Sequence, residues 1–146
     1  MKAALSSLAL FVALVSHLLA AQDRQVLHGP GEVRGLPFSS AVRVGNLLFL
    51  SGQIGNVPGT RQLADTGIAG QTRQALDNIT AVLTSAGSSL DRAVKCTVFL
   101  ADIKDYAAMN TVYATYFPKD PPARSTVAAS GLAGARVEIE CIATAG

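Results

Sequence analysis

The sequence predicts an α+β fold in which two amphipathic helices cover one face of a single mixed β-sheet. Strand-like and helix-like segments follow one another in the order β-β-α-β-α-β-β along the 146 residues. Each helical segment is apolar along one side only, so it needs a sheet to cover that side. A composition with 49% hydrophobic and 15% charged residues suits one domain with one core.

The first 21 residues have the layout of a secretory signal peptide. Lys2 gives a positive start, residues 8–15 are an unbroken apolar run, and two small residues end at Ala21. Serines and a histidine interrupt the wider apolar stretch, which disfavours a retained membrane-spanning helix. We expect cleavage near Ala21, export to the periplasm or the medium, and no membrane attachment of the mature chain. The expected organisation is a signal peptide (1–21), an N-terminal extension (22–34) and one domain (35–146).

The segments before the first helix predict an extension, a hairpin and a loop. Residues 22–40 are rich in glycine and proline and read as a loop or a short edge strand. Residues 41–44 and 46–51 flank Gly45-Asn46, which is typical of a β-hairpin. Residues 52–60 contain three glycines and a proline, so we expect a loop there.

Apolar positions with a period of 3.6 residues predict the first helix over residues 68–86, which Gly87 ends. Asp65-Thr66-Gly67 is an N-cap signal for this helix. Asn78 begins a glycosylation sequon, but its place inside a helix argues against its use. The polar positions are expected to form a solvated face: Gln71, Arg73, Gln74, Asp77, Thr80 and Thr84.

The second half of the chain predicts a strand, a helix and two closing strands. Residues 93–101 alternate, with Val94, Cys96, Val98 and Leu100 on the apolar side. Asp102 can cap a helix over residues 103–117, and residues 125–129 and 136–143 predict the closing strands. The helix carries an aromatic-rich stripe, interpreted as core: Ile103, Tyr106, Met109, Val112, Tyr113, Tyr116 and Phe117.

The first hairpin carries apolar side chains on both faces of the sheet. Leu48 and Leu50 point to one side, and Leu47 and Phe49 point to the other. Helices on one face leave the second set uncovered, so we expect the chain to associate with itself through the second face.

Charge and cysteine content disfavour several classes of function. Twelve basic and ten acidic residues give a net charge of +2, and the basic residues are scattered, which disfavours a nucleic-acid-binding protein. Cys96 and Cys141 lie on apolar sides of strands, and two buried small hydrophobic residues are favoured over a disulfide, which export would permit. Two cysteines without paired histidines do not make a tetrahedral zinc site, so no zinc is expected. Once the signal peptide is removed, His28 is the only histidine, which disfavours catalysis by histidine.

Three charged residues stand inside or beside otherwise apolar strands. Arg124 follows Pro121-Pro122-Ala123 at the start of a strand, and Glu138 and Glu140 alternate with apolar residues in the last strand. A carboxylate on a sheet face is costly unless it is paired, hydrated or at an interface. The alternatives are therefore a solvated edge strand or a functional site.

Several runs of sequence, taken together, resemble the RidA/YjgF family over residues 35–146. Each run alone is a weak signal, but their order and spacing match the family. They are residues 45–54 (GNLLFLSGQI), 71–72 (QT) and 76–79 (LDNI), 94–95 (VK) and 98–102 (VFLAD), 109–110 (MN), 112–113 (VY) and 116–117 (YF), and 122–125 (PARS) and 137–140 (VEIE).

The resemblance implies a chorismate-mutase-like subunit that assembles as a homotrimer with ligand clefts between subunits. It implies hydrolysis of small enamine or imine acids, such as 2-iminopropanoate and 2-iminobutanoate, to 2-oxo acids and ammonia without a cofactor. Arg124 matches the arginine that binds the substrate carboxylate, and Glu138 matches the glutamate that orients the attacking water. Ser51 and Asn110 match further positions that line the cleft.

The sequence departs from the family pattern at two cleft positions. Phe38 stands where the family has a tyrosine, and Thr126 stands where a cysteine is common. Export would separate the chain from the cytosolic enzymes that produce enamines, so the physiological substrate is open. Two alternatives follow: a ligand-binding or chaperone-like module without turnover, and an endoribonuclease. The small net charge and the lack of a histidine pair speak against the second.

Overall fold

A computed structural model describes residues 24–146 and confirms the α+β class. The expected signal peptide and its cleavage near Ala21 lie outside these residues. Within them, two α-helices accompany a sheet of seven strands. The strands are β1 (Arg24–Leu27), β2 (Ala41–Val44), β3 (Leu47–Leu50), β4 (Gln53–Ile54), β5 (Ala93–Leu100), β6 (Ala123–Ala128) and β7 (Val137–Thr144), and the helices are α1 (Ile68–Ser85) and α2 (Tyr106–Tyr116).

The strand order in the sheet is β1-β2-β3-β7-β5-β6, and β4 also pairs with β7. The pairs are antiparallel except for β5 and β6, which are parallel and are connected through α2. None of the described helices is long and apolar enough to span a membrane. The topology places β7, which carries Glu138, in the interior of the sheet and β6, which carries Arg124, at its edge.

The hydrophobic core lies between the helices and one face of the sheet. Alternation along β7 sends Val137, Ile139, Cys141 and Ala143 into the core and leaves the residues between them on the other face. Helix α1 contributes Leu76, Ile79 and Leu83, which are fully buried, and α2 contributes Met109. We call the face of the sheet that the helices leave uncovered the open face.

The two cysteines form a disulfide, so the favoured expectation of two unbonded residues is wrong. Cys96 of β5 and Cys141 of β7 are direct partners in the antiparallel register, with their Cα atoms 4.1 Å apart. Both side chains are buried in the core, as predicted. The pairing depends on the register between two strands that are distant in sequence, which the sequence alone does not specify.

Helix α1 begins and ends close to its predicted limits. Gly87 follows it with a φ of 74°, the left-handed conformation that glycine supplies at a helix C-terminus. The N-cap residue is Gly67. The Asp65 side chain accepts a hydrogen bond from the Gly67 N–H at 2.7 Å, so it fixes the residue that precedes the helix. Asn78 is buried and donates to the Ile54 carbonyl, in keeping with the prediction that its sequon is not used.

Gln71 is buried, so the prediction that it belongs to a solvated face is wrong. Its exposed fraction is 2%. Its side-chain oxygen accepts from the Arg136 N–H at 2.7 Å, and its amide nitrogen donates to the Asp65 carbonyl at 2.9 Å. The side chain thus satisfies backbone groups where two loops meet the helix, which helical periodicity cannot reveal.

Three local expectations about strands and the second helix are also corrected. Val94 is exposed because a register shift in β5 between Ala93 and Lys95 turns it out of the core. Ile103 and Tyr106 are exposed because a 3₁₀ turn, capped by Asp102, precedes α2 and carries the chain away from the core. The predicted loop after Ser51 contains β4, which pairs with the middle of β7.

Candidate functional site

The side chain of Arg124 is held against α2. Arg124 pairs with Cys96 of β5, so its side chain leaves β6 on the face that the helices cover. Its guanidinium carbon lies 4.5 Å from the ring centroid of Tyr113 and 5.8 Å from that of Tyr106, both within the range of cation–π attraction. Nη2 also donates a hydrogen bond to the Tyr106 hydroxyl at 3.4 Å. Two aromatic residues of one helix therefore position the arginine.

Two buried hydroxyls lie on the same side of the sheet as Arg124. The Tyr113 hydroxyl and the Thr126 hydroxyl have no hydrogen-bond partner within residues 24–146. Burial raises the pKa of Tyr113 to about 12, although the charge of Arg124 acts in the opposite direction. Unpaired buried polar atoms are uncommon in folded proteins and often indicate a place where water or a ligand binds.

Asn110 belongs to the same cluster. It lies four residues after Tyr106 on α2, and its hydrogen bond to the phenol is the largest cause that lowers the pKa of Tyr106. The hydrogen bond and charge of Arg124 lower that pKa further. We call Arg124, Tyr106, Asn110, Tyr113 and Thr126 the Arg124 group. It includes three of the site residues predicted from the sequence.

The carboxylate of Glu138 lies on the open face. Glu138 pairs with Phe99 of β5 on one side and with Ile54 of β4 on the other. Burial raises the pKa of Glu138, and the neighbouring charge of Glu140 raises it further. Gly52 leaves the space that this carboxylate occupies, because any side chain at position 52 would overlap it.

Glu138 lines a cavity of about 500 Å³ together with Phe38 and residues of two loops. We call it the Glu138 cavity. Its two loops are tied together by a hydrogen bond from the Gly59 N–H to the Gly31 carbonyl at 2.8 Å. The predicted cleft residue Ser51 donates its hydroxyl to the Ser39 carbonyl at 2.6 Å, and this hydrogen bond holds the loop that carries Phe38 next to the sheet.

One protomer does not bring Arg124 and Glu138 together. Arg124 shares the helix-covered face with its partner Cys96, whereas Glu138 shares the open face with its partner Phe99. Cys96 and Phe99 are three residues apart in one strand, so they point to opposite sides of the sheet. Any site that uses both charged residues must therefore be completed by a second protomer.

Potential metal ligands are dispersed in the described part of the chain. Among residues 24–146, no three histidine, cysteine, aspartate or glutamate side chains are grouped so that they could hold a metal ion.

Hydrogen bonds of Glu32 hold the N-terminal loop. His28 Nδ1 lies 2.9 Å from the Glu32 carboxylate, and Ser40 donates to that carboxylate at 2.7 Å. Hydrogen bonds from Ser40 and His28 lower the pKa of Glu32, and the trio ties the N-terminal loop to the start of β2.

Sequence reasoning missed three residues of the site. Tyr106 and Tyr113 were assigned to the core stripe of the second helix, although their spacing from Asn110 places all three along one side of α2. That spacing could have identified both tyrosines as site residues. Nothing in the sequence identifies Gly52 beyond its place in a glycine-rich stretch, since its role depends on the close approach of Glu138 from another strand.

Comparisons with known proteins identify the family of the chain. The sequence profile described as endoribonuclease L-PSP matches residues 34–145. The crystal structure of the YjgF gene product from E. coli superposes with a TM-score of 0.74 at 33% identity, covering 82% of this chain and 98% of that chain. The chain belongs to the RidA/YjgF family.

Two named relatives of this RidA/YjgF chain are described as deaminases. The 2-iminobutanoate/2-iminopropanoate deaminase of Capra hircus is 44% identical over 111 residues, which are 75% of this chain and 81% of the relative. The chloroplastic Reactive Intermediate Deaminase A of Arabidopsis thaliana is 42% identical over 109 residues. These residues make up 74% of this chain but only 58% of that longer protein.

Proposed function

We propose that this RidA/YjgF protein hydrolyses small 2-imino acids to 2-oxo acids and ammonia. The reaction takes place where the Arg124 group of one protomer faces the Glu138 cavity of the next. The observation that carries the proposal is the opposite placement of Arg124 and Glu138 on the sheet, which gives each protomer two complementary halves of a site. The similarity to the Capra hircus deaminase supports the choice of substrate.

Arg124 binds the carboxylate of the substrate. A guanidinium is planar, always charged and able to form two parallel hydrogen bonds with a carboxylate. Contacts with the rings of Tyr106 and Tyr113 fix its orientation before the substrate arrives, so less entropy is lost on binding. Holding the carboxylate also fixes the imine carbon relative to the second protomer.

Glu138 of the second protomer acts on the attacking water. The water oxygen bonds to the imine carbon while its proton passes to the Glu138 carboxylate, and the C=N bond becomes a single bond. Glu138 then gives this proton to the nitrogen. The hydroxyl proton follows as the C=O bond forms and the C–N bond breaks, so ammonia leaves and one water is consumed. A raised pKa makes Glu138 a stronger base than an ordinary surface carboxylate.

We propose a homotrimer in which the open face of one protomer contacts the β6 edge of the next, so that the Glu138 cavity meets the Arg124 group. Phe49 and Val127 lie on this face with exposed fractions of 41% and 46%, and Leu47 adds to the same apolar surface. Exposed apolar patches of this kind are typical of association surfaces.

We also propose that the mature protein is exported. The layout of residues 1–21 supports this, and the disulfide between Cys96 and Cys141 adds an independent argument. Disulfides persist in oxidising compartments and are rare in the cytosol.

Complementation between two inactive variants tests the proposed site. Arg124→Ala lacks the carboxylate-binding half and Glu138→Gln lacks the base, so each alone is expected to leave ammonia release from 2-iminopropanoate generated in situ at the uncatalysed rate. Unfolding and refolding them together should restore about a quarter of the sites if subunits mix at random. A mixture of Arg124→Ala with the Arg124→Ala/Glu138→Gln double variant is the control, because it can form no complete site.

The result of the mixing experiment decides between functions. No recovery in the first mixture would contradict a site shared between protomers. Arg124→Lys keeps the positive charge but lacks the planar guanidinium that forms two hydrogen bonds with a carboxylate. This variant is expected to have almost no activity. Normal binding of 2-oxo acids without ammonia release by the wild-type protein would instead indicate a ligand-binding module.

A further inference from the structure

We infer that the Glu138 cavity binds the side chain of the substrate and that the preferred substrates are 2-imino acids with branched or aromatic apolar side chains. The inference rests on the proposed function, because it takes Glu138 as the residue that acts on the imine carbon. It goes further by stating which imino acids the site selects.

The size of the cavity is the first argument. Its volume is about 500 Å³, within the ~300–1,000 Å³ range of pockets that enclose whole drug-sized ligands. The methyl or ethyl group of 2-iminopropanoate or 2-iminobutanoate would leave most of this space to water. A branched or aromatic side chain would fill a much larger share of it.

The chemistry of the walls is the second argument. Val33, Leu36 and Phe38 of the N-terminal loop line one side, and Ile54 of β4 lines the other. Phe38 is 57% exposed in the protomer, so an apolar ligand group that covers its ring removes a large apolar area from water. A methyl group is too small to cover this surface.

The position of the walls relative to Glu138 is the third argument. Ile54 is the direct strand partner of Glu138, so the apolar wall begins beside the carboxylate. A substrate whose imine carbon lies at Glu138 therefore has its side chain at the entrance of the cavity. The short carboxylate end of the same molecule points towards the Arg124 group of the neighbouring protomer.

Two of the polar residues that line the cavity are already paired within the protomer. The Glu32 carboxylate is already engaged by His28 and Ser40. Asn56 donates its side-chain amide to the Thr60 carbonyl at 2.8 Å. These contacts stabilise the surrounding loops. Arg61 also lines the cavity, but most of the exposed lining surface is apolar.

The test compares imines generated in situ from leucine and phenylalanine with 2-iminopropanoate, using the wild-type protein. We expect kcat/KM to be at least about tenfold higher for the leucine and phenylalanine imines, the discrimination that a hydrophobic pocket gives for added apolar groups. Val33→Trp, which fills the cavity from the loop, should lower kcat/KM for the leucine and phenylalanine imines and thereby remove this preference. Thr84→Trp is the control, since Thr84 is exposed on α1, outside the cavity and away from the open face, and it should keep the preference.

A second measurement covers the case in which Val33→Trp does not fold. Competitive inhibition of the wild-type protein by 4-methyl-2-oxopentanoate or phenylpyruvate should be at least about tenfold stronger than inhibition by pyruvate. These 2-oxo acids share the carboxylate and differ in the side chain that the cavity would take.

The possible outcomes separate the two proposals. Efficient turnover of 2-iminopropanoate with equal or weaker turnover and inhibition for the bulky series would overturn the cavity inference and leave the deaminase function standing. Absence of turnover for every imine would overturn the proposed function and, with it, the cavity inference. A preference for bulky imines that Val33→Trp abolishes and Thr84→Trp keeps would support both.

Discussion

The guanidinium carbon of Arg124 lies 4.5 Å from the centre of the Tyr113 ring, and that ring is buried in the core. An arginine that extended freely from an edge strand would sample many rotamers and would lose that freedom on binding a carboxylate. Here the buried ring supports one side of the planar group. Tyr113 thus connects the packing of α2 to the position of a charge at the edge of the sheet.

The hydroxyl of Tyr106 is expected to contribute to substrate binding through Arg124. In Tyr106→Phe the guanidinium loses a hydrogen-bond acceptor, so KM should rise by about threefold to tenfold, which corresponds to the ~0.5–1.5 kcal/mol of a typical hydrogen bond. The kcat value should change little, because the interaction supports binding in the ground state and the transition state alike. Steady-state kinetics with 2-iminopropanoate measures both.

Tyr116→Phe is the matched control for that substitution. Its hydroxyl donates to Asp77 at 2.7 Å and lies on the contact between α1 and α2. The variant also loses one tyrosine hydroxyl from the same helix, but KM should stay at the wild-type value. Equal changes in the two variants would show that Tyr106 acts only through general packing of the helix.

Gly52→Ala is expected to displace the Glu138 carboxylate without unfolding the protein. A Cβ at this position would overlap the end of the Glu138 side chain, which can move, and Gly52 does not have a positive φ. A shift of the base by about 1 Å can lower the rate by about 100-fold. The prediction is a large loss of kcat with a thermal unfolding midpoint close to that of the wild type.

Gly67→Ala provides the control for a glycine replacement that meets no close neighbour. An added Cβ there lies 3.5 Å from Asp65, an ordinary van der Waals distance. Its activity should equal that of the wild type. If Gly52→Ala also kept full activity, the position of the Glu138 carboxylate would not matter for the reaction.

The acid side of the pH–rate profile should follow the raised pKa of Glu138. Burial is the larger cause of that shift and the charge of Glu140 is the smaller one. Glu140→Gln removes the smaller cause, so the fall in rate on the acid side should move to lower pH but stay above the range of an ordinary carboxyl group. Asp91→Asn, which removes an equal charge from an exposed position, should leave the profile in place.

The same shift has a consequence for stability. Because the pKa of Glu138 is higher in the folded state, its protonated form favours folding. That contribution is present below the pKa of the unfolded state and is lost as the pH rises through the raised value. At neutral pH, Glu138→Gln should therefore be at least as stable as the wild type in urea unfolding, although it is inactive. A marked loss of stability would contradict the direction of the shift.

The disulfide is expected to stabilise the fold. It joins residues separated by 45 positions, and a crosslink of this length typically contributes about 2–4 kcal/mol to the free energy of unfolding. Urea unfolding with a reductant should therefore show a lower midpoint than unfolding without one. The Cys96→Ala/Cys141→Ala double variant should give the same midpoint in both conditions. Superimposable wild-type curves would indicate that the cysteines are not bonded.

The architecture was predictable because it depends on local periodicity. Alternation in residues 137–144 and the 3.6-residue repeat in α1 identify the buried side of each element without knowledge of its neighbours. The charged residues on the strands were also recognisable, because Arg124 and Glu138 interrupt apolar patterns.

The relations between elements were not predictable in this way. The disulfide depends on the register of β5 against β7, and the placement of Arg124 and Glu138 on opposite faces depends on the order β7-β5-β6 in the sheet. The exposure of Tyr106 depends on the 3₁₀ turn that redirects the chain before α2. Each of these is a tertiary relation between segments that the sequence separates.

The opposite orientation of Arg124 and Glu138 restricts how copies of this chain can assemble if they share sites. A two-fold dimer pairs the same surface of both copies, so it could complete both sites only if both halves belonged to that one surface, whereas Arg124 and Glu138 lie on opposite faces of the sheet. Head-to-tail contacts pair the Arg124 half of one copy with the Glu138 half of the next. Every half is used only when these contacts close into a ring. Under the proposed function, a closed cyclic assembly is therefore a condition for full activity. Dilution to concentrations at which the assembly dissociates should abolish the activity of all its sites together.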